Sequence, residues 1–171
     1  TVTGVQTCAL PISLMELVVT VAIIGTLAAF AVPAYLDAQQ NGKANKALET
    51  MNTIGSAIVN KYTSVAHYGV GDGNALAQLK STGSAWTDMI DETVLIEYDR
   101  GAGVVQITTL DLFKDGVPKS PFGSGWQFYV HADSIGEASW SGNPPELVIT
   151  SVPMFKIRDK NQQLVLAEYT L

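Results

Sequence analysis

Cysteine occurs once in this chain, at Cys8, so no intrachain disulfide can form and any extracytoplasmic head must hold together by packing alone. Basic residues are missing from the first part altogether. All ten lysines and arginines, and every aspartate, lie beyond Leu36, and the one formal charge before that point is Glu16. Histidine is nearly as scarce: His67 and His131 stand far from each other and from cysteine, which excludes the usual zinc spacings. No H-E-x-x-H, G-x-S-x-G or C-x-x-C pattern is present, so no enzyme activity is expected and no cofactor is implied. The net charge of −6 lacks the basic face of a nucleic-acid binder, and acidity by itself names no partner. The glycine-rich stretch Tyr68–Asn74 has neither the preceding strand nor the following lysine of a phosphate-binding loop, and reads as a plain loop.

What the chain does have is a long apolar run. Leu17–Leu36 reads LVVTVAIIGTLAAFAVPAYL, twenty residues without a charge. At about 1.5 Å per residue this matches a hydrocarbon core of about 30 Å. Gly25 and Pro33 interrupt it, and both are better tolerated in membrane helices than in soluble ones. A cleaved secretory signal is one plain reading, with Ala29-Phe30-Ala31 as the small-x-small site, but no basic residue precedes the run and an acid interrupts its start. An ordinary single-pass anchor is another. There Glu16 has a structural role, because Ser13-Leu14-Met15-Glu16 fits the S-x-x-E capping box.

A third reading comes from residue order. Ile12–Tyr35 runs ISLMELVVTVAIIGTLAAFAVPAY without a gap against a known pattern. Its features are a small hydroxyl residue at Ser13, then Leu14, Met15, Glu16 and Leu17. The apolar run to Gly25 follows, then Leu27-Ala28-Ala29 and Pro33-Ala34-Tyr35. This segment resembles the N-terminal signature of type IV pilins and of the pseudopilins of type II secretion.

The resemblance implies cleavage by a prepilin peptidase just before Ile12 and methylation of the new amine. It implies that Glu16 neutralises that amine on a neighbouring subunit, so that only correct axial register pairs both charges. It implies, too, that the Gly25–Pro33 interval loosens when the helix leaves the membrane, since glycine has weak helix propensity and proline lacks a donor. The chain departs from the family at the processing site: Pro11 stands where the family has glycine, and Thr1–Pro11 carries no charge where the family has a basic leader. Residues 1–11 therefore read as an atypical leader remnant or a non-native extension, and the chain as written is expected to be a poor peptidase substrate. Ile12 replaces the usual phenylalanine.

Beyond the apolar run, Ala44, Ala47, Leu48, Met51, Ile54, Gly55, Ile58 and Tyr62 recur at intervals of three and four, with Lys43, Lys46, Glu49, Asn52 and Lys61 on other faces. The helix is expected to continue, with one stripe for a core, and Asn41-Gly42 to loosen it locally at most. Ala75–Lys80 and Ala85–Ile90 read as short helical turns. Strands are expected at Val94–Tyr98, Val104–Thr109, Trp126–His131, Leu147–Val152 and Leu164–Tyr169, with a hairpin at Gly101-Ala102-Gly103. Val117–Trp126 is a Pro/Gly-rich turn leading into a strand, and resembles the Pro-aromatic-Gly turn of many pilin heads. Asp111, Asp115 and Asp133 are weak calcium candidates whose spacing forms no loop motif.

The fold expected is α+β, pilin-like: a helix over 12–63, half membrane-embedded and half packed on an antiparallel sheet, with a β-rich head over 64–171. The function expected is that of a structural subunit of a pilus-like filament, homo-oligomeric through its N-terminal helix. It would sit in inner-membrane lipid before assembly, and in an extracellular pilus or periplasmic pseudopilus afterwards. A peptidase and an assembly platform are implied by the family. The alternatives are a secretion pseudopilin and, from a different class, a membrane-tethered or secreted binding domain that does not polymerise.

Overall fold

A computed structural model describes residues 13–68, 77–99, 103–136, 138–141, 146–149, 151–161 and 165–171. It has one long N-terminal helix followed by antiparallel sheets, an α+β chain. Helix α1 spans Leu14–Tyr68, past the expected end at 63, and Asn41-Gly42 does not interrupt it. The chain divides into two compact units, Thr1–Gly42 and Lys43–Leu171, so the second part of α1 belongs with the strands.

In the second unit, Ala47, Met51, Ile54, Ile58, Tyr62 and Val65 are buried, one line of residues at the helical repeat. Ala44 and Leu48, also expected on the stripe, are exposed. The strands are β1 (Gln78–Leu79), β2 (Thr87–Asp88), β3 (Val94–Asp99), β4 (Val104–Thr108), β5 (Trp126–Tyr129), β6 (Ala138–Ser141), β7 (Glu146–Ile149), β8 (Met154–Asp159) and β9 (Val165–Thr170). A four-residue helix, α2 (Thr109–Leu112), follows β4.

These strands form three sheets rather than the one expected: β1-β3-β4, β2-β5-β8-β9 and the pair β6-β7, with every pairing antiparallel. The β3-β4 pairing agrees with the expected hairpin, Asp99 lying opposite Val104, though Gly101 and Ala102 lie outside the described residues. Two expectations are corrected. Within 75–80 and 85–90 the described backbone forms the short strands β1 and β2, not helical turns, because it bonds to β3 and β5. Such pairing overrides weak local preference. The glycine-rich stretch 69–74 lies outside the described residues.

Strand alternation builds the core. On β5, Trp126 and Phe128 point inward, and on β8, Phe155 and Ile157 do so, joining Leu95 and Ile96 of β3 and the α1 stripe in one apolar cluster. The same phase carries Asp159, at the end of β8, inside with no exposed surface. Its carboxylate accepts from the Ser120 and Ser124 hydroxyls at Oδ2 and from the Asn161 amide at Oδ1. Trp126 Nε1 donates to the Pro118 carbonyl at 2.7 Å. The 118–126 turn is thereby fastened at both ends, satisfying a buried carboxylate that would otherwise destabilise the head.

Burial pushes the phenol of Tyr62 above its ordinary value, and that of Tyr169 likewise. A raised phenol pKa means that the folded head keeps a proton the unfolded chain has lost. This stability is fully present below about pH 10 and falls as pH rises toward the folded value. Tyr62→Phe removes one of the two groups. The fall in melting temperature between about pH 9.5 and 11 should therefore be smaller in Y62F than in the parent chain, as read by circular dichroism melts. An equal fall would show that Tyr62 does not carry the alkaline transition.

Candidate membrane and assembly helix

The first unit holds α1 from Leu14 to Gly42. Its apolar side chains are uncovered: Leu14 is 78% exposed, Ile24 66% and Phe30 82%, and no residue of its most apolar 18-residue window is buried by the rest of the chain. A soluble monomer rarely leaves so long an apolar surface open to water. By length and composition this helix is able to cross a membrane.

Its few polar groups are compatible with lipid. Thr20 Oγ1 donates to the Leu17 carbonyl and Thr26 Oγ1 to the Ile23 carbonyl, each at 2.8 Å, so both hydroxyls are satisfied within the helix. Pro33 lies inside the helix and removes one amide donor, leaving the carbonyl four residues earlier short of a partner. A Cβ added at Gly25 would meet nothing within 4 Å, so no packing inside the chain requires glycine there.

Glu16 lies in the first turn, where the Ser13 carbonyl accepts from the amides of Glu16 at 2.9 Å and Leu17 at 3.1 Å. No side-chain hydrogen bond joins Ser13 and Glu16, so the reciprocal capping box is not formed. Among the described residues Glu16 has no ion-pair partner. Pro11 and Ile12, the expected processing site, lie outside the described residues.

In the second unit, the side of α1 opposite its buried stripe lines a shallow open groove with Glu49, Asn52, Thr53, Ser56, Ala57 and Asn60. These side chains are mostly short and polar. The calcium candidates are not brought together: no group of three or more His, Cys, Asp or Glu side chains converges among the described residues. Asp111 instead takes hydrogen bonds from the amide and hydroxyl of Thr108 at the start of α2, which hold its carboxyl below the usual range. Asp133 lies on an exposed turn, where its backbone amide donates to His131 Nδ1 at 3.3 Å. The His67 side chain lies outside the described residues.

The sequence reading missed the buried Asp159 cluster and the strand that carries it. Its signal was present: Met154–Asp159 alternates Phe155 and Ile157 with Lys156 and Arg158, the period of a half-buried strand. Compared with protein-family models, with curated proteins and with solved structures, the chain matches none.

Proposed function

We propose that this chain is a structural subunit of a type IV pilus-like filament, held in the inner membrane by Leu17–Leu36 and assembled by packing that helix against its copies. The observation that carries the reading is the composition of α1. Its Leu17–Leu36 stretch is apolar and carries no charge, and a single acid, Glu16, stands in its first turn. No residue of its most apolar window is buried, and its continuation supplies the core stripe of an antiparallel-sheet head. The order of residues from Ile12 to Tyr35 and the Pro/Gly turn at Val117–Trp126 support the same reading. A lipid bilayer covers the apolar surface before assembly, and neighbouring helices cover it afterwards. The head then faces outward, in an extracellular pilus or a periplasmic pseudopilus.

Cys8 as the sole cysteine leaves the head without a disulfide, which fits either a cysteine-free pilin or a secretion pseudopilin, the second reading. The test expresses the whole chain, with glycine at position 11, alongside a prepilin peptidase and its assembly platform. The parent chain is expected in the inner-membrane fraction and in sheared filaments. Ile24→Lys places a charge at mid-span at a cost of about 3 kcal/mol and should deplete both. A parent chain recovered only in the soluble fraction overturns the membrane reading, and a membrane-bound chain that forms no polymer overturns the filament.

A further inference from the structure

The outward face of β8 carries cations that are treated unequally. Lys156 pairs with Glu168 at 3.2 Å, and Lys160, just past the strand, pairs with Asp88 at 2.5 Å. Arg158 lies between them and has no carboxylate partner among the described residues. Its guanidinium instead lies 4.1 Å from the centroid of the Trp86 ring, and its Nε donates to Gln127 Oε1 at 2.9 Å. Trp86 packs in turn against Tyr129, with ring centroids 5.3 Å apart and planes at 38°. Gln127 is fixed from its other end, where Nε2 donates to Asp88 Oδ1 at 2.7 Å. Hydrogen bonds from Lys160 and then Gln127 hold the Asp88 carboxyl below its usual range, so that side of the network is already neutralised.

The consequence is a guanidinium fixed in plane and rotamer but not in charge. One face is stacked and Nε is used, while no described residue accepts from the outer Nη donors. A planar fork of this kind matches a carboxylate bidentately, and much of the ordering entropy has been removed in advance. With Lys156 and Lys160 already paired, this site offers a single unpaired guanidinium, which suits one negative charge better than the doubled charge of a phosphate. The half-buried rings of Trp86 and Tyr129 beside the fork offer apolar surface for the body that carries the carboxylate. The Tyr129 hydroxyl has no hydrogen-bond partner among the described residues and adds a polar contact for a hydroxylated ligand.

From this we infer that Arg158, Trp86, Tyr129 and Gln127 form a site for a carboxylate borne on a sugar ring, that is, a uronic acid residue of an acidic carbohydrate. The inference does not depend on filament assembly.

Arg100 and Arg158 are the only arginines, so the arginine Nε–Hε spectrum of the full chain in detergent micelles has two signals, and Arg100→Lys leaves one. Sodium D-glucuronate is titrated against D-glucose and sodium acetate. The Arg158 signal should shift saturably with glucuronate at concentrations on the order of millimolar, and not with glucose. Acetate, which lacks the ring, should bind about tenfold more weakly. Arg158→Lys, read from the Trp86 indole N–H signal, should weaken glucuronate about tenfold. Trp86→Ala, read from the Arg158 signal, should weaken it about fivefold, and an unchanged melting temperature would separate either loss from unfolding. No saturable shift, or equal responses to acetate and glucuronate, overturns the site. A shift that follows protein concentration and resists glucuronate overturns it in favour of an acidic side chain from a second copy.

Discussion

Gly55→Leu should lower the melting temperature of the head by roughly 10 °C, the effect of about 3 kcal/mol in a unit of this size. The reason is a close approach between α1 and β9. A Cβ built on Gly55 would lie 2.1 Å from Tyr169 Cζ, 2.5 Å from its Oη and 2.6 Å from Cε1, far inside contact distance. The ring has little room to retreat. It stacks on Phe155 at 4.8 Å with an interplanar angle of 18°, and its hydroxyl lies 3.1 Å from both the Met51 carbonyl and Asn52 Oδ1, donating to one at a time. Phe155 is itself fully buried against Phe128 at 5.7 Å, so displacement of Tyr169 is transmitted into the core.

Gly55→Ala separates the two effects acting at this position. On an exposed helix it would stabilise by about 1 kcal/mol, because glycine is the poorer helix former. Here it should destabilise, since even one methyl meets the ring. Tyr169→Ala in the G55A background opens the space, and the double variant should lose less than the two single losses combined. Thermal melts of the full chain in micelles, followed by near-ultraviolet circular dichroism, read all four states. A rise in melting temperature for G55A would show that the approach is looser than described.

Gly55 also marks how far the sequence could be read. The α1 stripe was legible because Met51, Ile54, Ile58 and Tyr62 repeat at the helical period, and a helix imposes that period whatever it packs against. Gly55 falls on the stripe by its spacing, but the reason for glycine there lies in Tyr169, more than a hundred residues away and invisible to local pattern. The strands β3, β4 and β5 were legible from β-branched and aromatic runs. β1 and β2 were not, because two residues show no period and exist only by pairing with β3 and β5. β8 had the alternation but carries three charged residues in six, which hid a central strand among polar letters. Asp159 was opaque for the same reason as Gly55. Its partners Ser120 and Ser124 come from a turn 39 and 35 residues earlier, and neither serine has a local pattern that announces a buried carboxylate.

Glu16→Ala, in a chain with glycine at position 11 so that processing can occur, should cut filament yield by on the order of a hundredfold while leaving the head's melting temperature unchanged. The carboxylate sits in the first turn of an uncovered apolar helix and has no ion-pair partner among the described residues. Once such helices pack together and water is excluded, the charge needs a cation. In the proposed filament that cation is the amine freed at Ile12 of a neighbouring subunit. Removing one member of a buried pair costs about 3–5 kcal/mol, because the other is left unpaired. The competing account makes Glu16 a helix cap for Ser13, although no side-chain bond joins them. Glu16→Gln decides between the two. A capping box accepts glutamine as readily as glutamate, so Gln should restore assembly if the role is capping. If the role is charge pairing, Gln should fail as Ala does, since it leaves the amine unneutralised. Filament yield in sheared fractions, with the head's melt as control, reads both variants. Full assembly by the alanine variant would remove Glu16 from the assembly mechanism altogether.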